Sequence, residues 1–425
     1  MPPKAPLRAS LLVCAALAFA PAARAQNIAS RSSDELTLEQ AIALAIAHSP
    51  ELEASSSAIR AAEANHQQAR AWPNPNFSFD WENWGGSLPG ASQSEMTFAL
   101  QQFFELGGKR AARTSAAAEV QRAAQLDSSS ARAAVIAEVK QRFYEVVAME
   151  QLLGLAREDA AASEELSATV HAKVRAGAAS PAEEARAAVD LASSTLDRTL
   201  LEKELDLARV RLAALWGKST EPPSRLAGSL DSLSSVPSAQ AVLDLAASHP
   251  EIVRTDFEIR AREAEIRAQR AQRIPDVGVE AGVRTFQETG EEGFVAGVLL
   301  PLPLWDRNRG GILEAEAALA REQAQGRRAW AAREREVLET YARLTAARAH
   351  VETLRANVIP GAIVASEQVH SAYHRGRLSY LDLLDARRTR LRAQREEILS
   401  RLEYARAHAA LEKLCGSPNF APRSE

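Results

Sequence analysis

The chain alternates between two hydrophobic periods, and each change of period marks a new element. From Thr37 to Ala71 the apolar residues fall at helical spacing (Leu38, Ile42, Ala45, Ile46), and Thr37 with Gln40 reads as a capping box, so one helix is predicted there. The run "WPNPN" stops it. Phe77, Phe79 and Trp81 then alternate with Ser78, Asp80 and Glu82. After a turn rich in Gly, Pro and Ser from Gly85 to Ser92, Met96, Phe98 and Leu100 alternate with Thr97 and Gln101. This period of two predicts a hairpin whose strands, about 10 residues each, have one apolar and one polar face; that is the length of a tilted membrane-spanning strand, while the local pattern alone favours a soluble, half-buried hairpin. Lys109 to Arg175 contains no Pro and only Gly154. At about 1.5 Å per residue it predicts a helix roughly 100 Å long. "RAGAASPAEE" breaks it, with Gly177 as the stop and Ser180-Pro181-Ala182-Glu183 as a capping box opening a return helix to Trp216, about half as long.

The same order of elements then recurs. "HSPEL" at His48 matches "SHPEI" at Ser248, and Pro75 and Pro275 each open an alternating segment. Ala239 to Arg273 reads as helix, and Val277, Val279, Ala281 and Val283 alternate with Gly278, Glu280, Gly282 and Arg284. A turn at "ETGEEG" leads into "FVAGVLLPLPLW". Arg309 to Arg375 is a second long helix with an expected bend at Pro360-Gly361, "RGRLSYLD" is the second tip, and the last helix ends near Cys415. The two copies match at an offset of 200 residues through "FFELGGKR" and "PLWDRNRG", and at 199 at the tips. A slip of one residue over that span points to duplication. The expected organisation is a leader over 1–25, a segment 26–36, a first repeat 37–216, a linker 217–238, a second repeat 239–415 and a tail 416–425.

Composition fits this reading. Aromatic residues make up only 5% of the chain while Ala, Glu, Arg and Leu dominate long stretches, which suits long helices better than a compact α/β domain. Residues 1–25 carry Lys4 and Arg8, the run "LLVCAALAFAPAA" and Ala23-Arg24-Ala25, the pattern of a secretory leader cleaved before Gln26. Val13 is too bulky for the position before a lipidated Cys, which speaks against Cys14 as an anchor. Without the leader only Cys415 remains, so no intramolecular disulfide can form. No later apolar stretch approaches the ~20 residues of a spanning helix, so a membrane crossing would use strands. A net charge of −4 gives no reason to expect a nucleic-acid partner.

Enzyme chemistry finds no support either. "GGKRAARTS" has Phe103 where a phosphate loop needs its first Gly and Arg110 where it needs Ser or Thr, and neither G-x-S-x-G nor H-E-x-x-H occurs. No cofactor is expected. Four strands per chain cannot close a barrel around a lumen, and their edges cannot stay unpaired in lipid. Several chains must share one barrel, and three would bring twelve strands, within the range of outer-membrane barrels. The expected fold class is mainly α with a small membrane β part: long coiled-coil hairpins plus four strands per chain that contribute to a barrel shared between chains.

Helix, hairpin, long helix, tip and return helix, given twice behind a leader, resembles the TolC-type outer-membrane efflux channels. "LEQAIALAIAHSPEL", "ELGGKR", "PLPLWDRNRGG" and "YHRGRLSYLDLLDARRTRL" look most like the heavy-metal branch, the CzcC and CusC type, over residues 37 to 415. The resemblance implies a homotrimer in outer-membrane lipid, its long hairpins forming an α-helical barrel that continues from a trimeric twelve-stranded β-barrel, with most of the chain in the periplasm. It also implies docking on a periplasmic membrane-fusion adaptor fed by a proton-driven inner-membrane pump, and passive conduction of divalent or heavy-metal cations. A channel for drugs or other small organic molecules is the alternative cargo reading. A periplasmic adaptor or coiled-coil spacer is a further alternative, although an adaptor usually carries one helical hairpin set in β-rich domains.

Several residues carry the expected functions. Trp72, Trp81, Trp84 and Trp305 near strand ends, with Lys109, Arg110, Arg307 and Arg309 after the hairpins, fit a membrane interface, the alternative being four core Trp; the basic cluster needs an outside partner because cations at a helix start oppose its dipole. Arg175, Gly177 and Ser180 in one tip, and Arg375, Gly376, Leu378 and Ser379 in the other, are the expected adaptor-docking positions, although Gly and Ser there also serve as plain stop and start signals. In "GRLSYLDLLDA" Asp382 and Asp385 fall where the resemblance puts entrance aspartates, and a threefold axis would gather them into two carboxylate rings favouring cations. Ser379 and Asp382 also form a capping box. His370 and His374, four apart above the second tip, have a metal-ligating spacing, but two histidines alone do not make a site.

Overall fold

The computed structural model describes residues 35–85, 90–231, 237–417 and 420. The expected leader, the segment up to residue 34, part of the 217–238 linker and most of the 416–425 tail lie outside the described residues.

Strand β1 (Glu35–Thr37) leads into helix α1 (Leu38–His48), where Thr37 Oγ1 accepts from Gln40 N at 3.3 Å and Gln40 Oε1 accepts from Thr37 N at 3.0 Å, the reciprocal box the sequence predicts. The single helix expected over 37–71 is in fact two, α1 and α2 (Pro50–Ala69). Pro50 disfavours the helical conformation at the residue before it, and Ser49 is extended at φ −69°, ψ 123°. Strand β2 (Asn76–Glu82) pairs with β3 (Glu95–Phe104) across a connection that includes a 3-10 turn at Gly90–Gln93. At 7 residues β2 is shorter than the expected ten, because Asn83 turns into the left-handed region at φ 59° and ends it.

Helix α3 (Lys109–Arg175) is 67 residues long and spans about 100 Å. Ser180 caps α4 (Pro181–Ala214), accepting from Glu183 N at 3.3 Å, which is one half of the expected capping box. The chain then forms β4 (Arg225–Ala227), which lies parallel to β1, a pairing too short for the hydrophobic pattern to reveal. Helices α5 (Ala239–Ala247) and α6 (Pro250–Ala271) repeat the earlier break: His249 before Pro250 is extended, so the helix expected over 239–273 is also two. Strands β5 (Val277–Phe286) and β6 (Glu291–Leu299) form the second hairpin.

The second long helix is α7 (Arg309–Thr353), a five-residue π segment (Leu354–Val358), and α8 (Ile359–His374). The irregularity lies just before the expected bend at Pro360-Gly361. Pro360 has no N–H to offer the carbonyl of Ala356 and its ring crowds that carbonyl, and the wider π turn takes up the mismatch. Helix α9 (Tyr380–Cys415) is the last α-helix among the described residues, ending at Gly416 in the left-handed region.

Helix α3 packs along α2, α4, α6 and α9, and so joins the two repeats. Among the described residues three apolar clusters hold the bundle. One gathers Val139, Phe143 and Val146 of α3 with Leu212 of α4 and Leu402 of α9. Gly228 fits against it closely, since a Cβ there would stand 2.5 Å from Phe143 Cε1. A second joins Val242, Val337, Leu344 and Leu411, and a third joins the tips through Val170, Ala187, Tyr373, Tyr380, Leu383 and Leu384. The hairpins make one antiparallel sheet in the order β2-β3-β5-β6, so the two repeats pair through β3 and β5.

Candidate functional site

The sheet register sorts its side chains onto two faces. Phe77 stands opposite Leu100, Phe79 opposite Phe98 and Trp81 opposite Met96. The same face continues through Phe98 to Val283 and on to Phe294, and through Leu100 to Ala281 and Ala296. An apolar surface therefore runs across all four strands, and it is turned outward: Phe294 is 97% exposed and Phe77 70%. In water such a continuous patch would be a liability; in hydrocarbon it is what a barrel strand needs. The opposite face carries Ser78, Asp80, Thr97, Gln101 and Glu280. There Arg284 donates from Nη1 to Glu95 Oε2 at 2.9 Å and from Nε to Thr97 Oγ1 at 2.9 Å, and its Nη2 lies 3.5 Å from Glu82. This polar side has the character of a water-filled lumen. The alternation placed Arg284 on the polar face, but its two glutamate partners come from the other repeat and were not legible.

At the join between sheet and helices, Gly107 and Gly108 both have positive φ (70° and 78°), which explains the two glycines of "ELGGKR". Trp72, Trp81, Trp84 and Trp305 are all exposed, Trp305 at 92%. Trp81 and Trp84 stack with centroids 5.4 Å apart, and the Arg110 guanidinium lies 4.1 Å over the Trp72 ring. Lys109 departs from its expected interface role. It is buried and its Nζ donates to Asp276 Oδ1 at 2.7 Å, so this cation finds its partner within the chain rather than outside it. Asp276 Oδ1 also accepts from Leu106 N at 3.2 Å, so one carboxylate ties the first repeat's strand-to-helix turn to the second repeat. Sequence reasoning missed Arg113, which grips Glu105 with both Nη atoms (2.7 and 3.1 Å) and donates to the carbonyls of Ala69 and Ala71. The Glu105 hydrogen bond raises its pKa. Nothing in its sequence neighbourhood distinguishes it from other helix arginines.

At the opposite end the two tips share one turn geometry. Gly177 (φ 73°) and Gly376 (φ 69°) let Ala178 N bond Lys173 O at 2.8 Å and Arg377 N bond Ala372 O at 2.9 Å, the six-to-one bond of a Schellman stop. Arg175, Gly177 and Ser180, and Arg375, Gly376, Leu378 and Ser379, are all exposed. The arginines are not equivalent in this geometry: Arg175 precedes its glycine by two residues and Arg375 by one. Lys173 Nζ sits 4.1 Å over the Tyr373 ring, locking one tip to the other. Burial pushes the neighbouring Tyr380 hydroxyl up to about 12.

Asp382 and Asp385 stand exposed on the first turns of α9. Asp382 accepts from Ser379 Oγ at 2.7 Å and Ser379 N at 2.9 Å, and these bonds hold its carboxyl below the usual carboxylate range. Asp385 has no capping duty and no ion pair among the described residues. On α8 His370 and His374 bring their Nε2 atoms within 3.1 Å of each other. Among the described residues no group of three or more His, Cys, Asp or Glu is arranged to hold a metal ion, and no helix is long and apolar enough to cross a membrane.

Comparison with known proteins agrees with this geometry. The Outer membrane efflux protein family matches residues 41–218 and again 242–417. The cobalt-zinc-cadmium resistance protein CzcC of Cupriavidus metallidurans is 30% identical over 361 residues, 84% of this chain and 85% of its own. The nickel and cobalt resistance protein CnrC of the same organism is 35% identical over 293 residues, 68% of each chain. Among solved structures, CusC superposes with a TM-score of 0.78 at 18% identity, covering 90% of this chain and 92% of that one, and shares the fold. The double family match, the outward apolar sheet and the paired helical tips make this chain a member of the outer membrane efflux protein family.

Proposed function

We propose that this chain, as a homotrimer, is the outer-membrane conduit through which a tripartite pump exports divalent heavy-metal cations. The observation that carries the cargo is the similarity to the cobalt-zinc-cadmium resistance protein across most of both chains. Channels of this family form trimers that work with an adaptor and an inner-membrane pump. Two features of the chain support assembly. Strands β2 and β6 have no outer neighbour among the described residues, and such edges need partners in lipid. Val189, Leu196, Leu200 and Leu207 are exposed along α4 at heptad-like spacing, a seam suited to a neighbouring helix.

In this reading the apolar sheet face meets lipid, Trp72, Trp81, Trp84 and Trp305 lie at its interfaces with Arg110, and the polar face lines the lumen. The exposed tips receive the adaptor, and Asp382 and Asp385 form carboxylate rings at the periplasmic mouth. The chain's own contribution is then passive: an aqueous path, a charge filter and a docking surface, with the driving force supplied by the pump. Deleting the gene in its host and challenging the strain with cobalt, zinc, cadmium and nickel salts, beside a panel of drugs, tests the cargo. Metal tolerance falls and returns on complementation. A strain that loses only drug tolerance contradicts the cargo reading and leaves the channel standing.

A further inference from the structure

The second tip holds a feature that neither the turn nor the helix packing uses. We infer that His370 and His374 form a binding site for a borderline divalent transition-metal cation, of the class of Zn²⁺, Ni²⁺, Co²⁺ and Cu²⁺. The residues occupy successive turns at the C-terminal end of α8, both exposed, with Nε2 atoms 3.1 Å apart and ring centroids 4.4 Å apart. Exposed side chains on a helix are free to splay, and these two rings do not. Converging nitrogens need either one shared proton or one shared cation. Two ligands about 2.0–2.1 Å from a tetrahedral zinc lie roughly 3.4 Å from each other, close to the observed separation.

The surroundings favour a cation. The pair opens on a cavity of about 360 Å³ between α3, α8 and α9, which Glu165 and Glu367 also line. Of the two arginines there, Arg387 is committed to Asp159, to Ser163 Oγ at 2.7 Å and to Asp190, leaving Arg390 against two carboxylates. Neither histidine makes the turn itself: the stop is made by Gly376 and the start by Ser379 and Asp382, and His374 meets the tip only edge-on at Tyr373, with ring centroids 5.8 Å apart. The pair also belongs to the second repeat only. At the offset of 199, the positions of His370 and His374 fall on His171 and Arg175, and His171 is engaged with Glu184. Two protein ligands leave the remaining coordination positions to water, so the cation is held exchangeably, as suits a site beside a transit path rather than a structural one.

The test uses purified, untagged full-length protein in detergent and Cu²⁺ alone as probe, read by electron paramagnetic resonance and by titration. One Cu²⁺ per chain is expected, with two imidazole nitrogens in its hyperfine pattern. His370→Ala and His374→Gln each reduce this to one nitrogen and weaken binding by roughly tenfold or more, since even outer-shell partners cost that much. His171→Ala changes neither. A wild-type spectrum without the two-nitrogen signal, or a signal that survives His374→Gln, overturns the site. Binding is read without any pump, so its failure and the failure of the cargo reading are separate results.

Discussion

Lys109 of the first repeat and Asp276 of the second meet at 2.7 Å at the join between sheet and helices. Lys109 is 9% exposed, so removing its partner strands a buried charge. Asp276→Ala should destabilise the purified channel by about 2 kcal/mol, below the full cost of a buried pair because the aspartate side chain is 34% exposed. The additional Lys109→Met change should recover part of the loss. Thermal unfolding of the three proteins checks this; an undiminished melting temperature for Asp276→Ala would remove the structural role assigned to the pair.

Gly228 tests the packing of the helical core. A Cβ there stands 2.5 Å from Phe143 Cε1, and Phe143 is 1% exposed and has nowhere to move. Gly228→Ala should cost about 1–3 kcal/mol through overpacking. Gly290→Ser is the comparison for backbone strain alone, since Gly290 has φ 69° and nothing within 4 Å. Denaturant unfolding compares the two.

The exposed stripe on α4 bears on assembly. Leu196→Glu with Leu200→Glu should leave the α4 backbone helical, because Glu is a good helix former, and should abolish the trimer if the stripe is a seam between copies. Light scattering in detergent gives the mass directly. A trimer of unchanged stability would assign the stripe elsewhere.

The second tip has a defined pH response. Asp382 titrates below its ordinary 3.8 because the Ser379 hydroxyl and then the Ser379 backbone N–H bond its charged form. A lowered folded value means that the contribution is fully present above about pH 3.8 and is lost as pH falls through the lower folded value. Hydrogen exchange at Leu383, whose amide bonds Ser379 O, should therefore accelerate relative to mid-α9 only below that range. Asp382→Asn should flatten the response.

How much of this was legible follows the range of the forces involved. Local signals gave local structure: the Pro-free run predicted α3 over Lys109–Arg175, and Gly177 and Ser180 gave the first tip. The matched "HSPEL" and "SHPEI" mark the two Pro breaks, but apolar spacing continues on both sides of Ser49 and His249 and masks them. The face of each strand was readable from its period, but not that the faces join across both repeats, which depends on the β3 to β5 register. The burial of Lys109 is hidden for the same reason, since its partner is 167 residues away. The spacing of His370 and His374 was plain, whereas the convergence of their rings depends on side-chain angles that spacing does not fix.

Single-channel recording of the purified protein in planar bilayers tests the central claim most directly, that this chain is an outer-membrane conduit selective for cations at a carboxylate mouth. The wild-type protein should conduct, prefer cations and be blocked by multivalent cations. Replacing Asp382 and Asp385 together by Ala should weaken both the preference and the block. A wild-type protein that does not conduct, or a double variant with unchanged selectivity and block, would contradict the account.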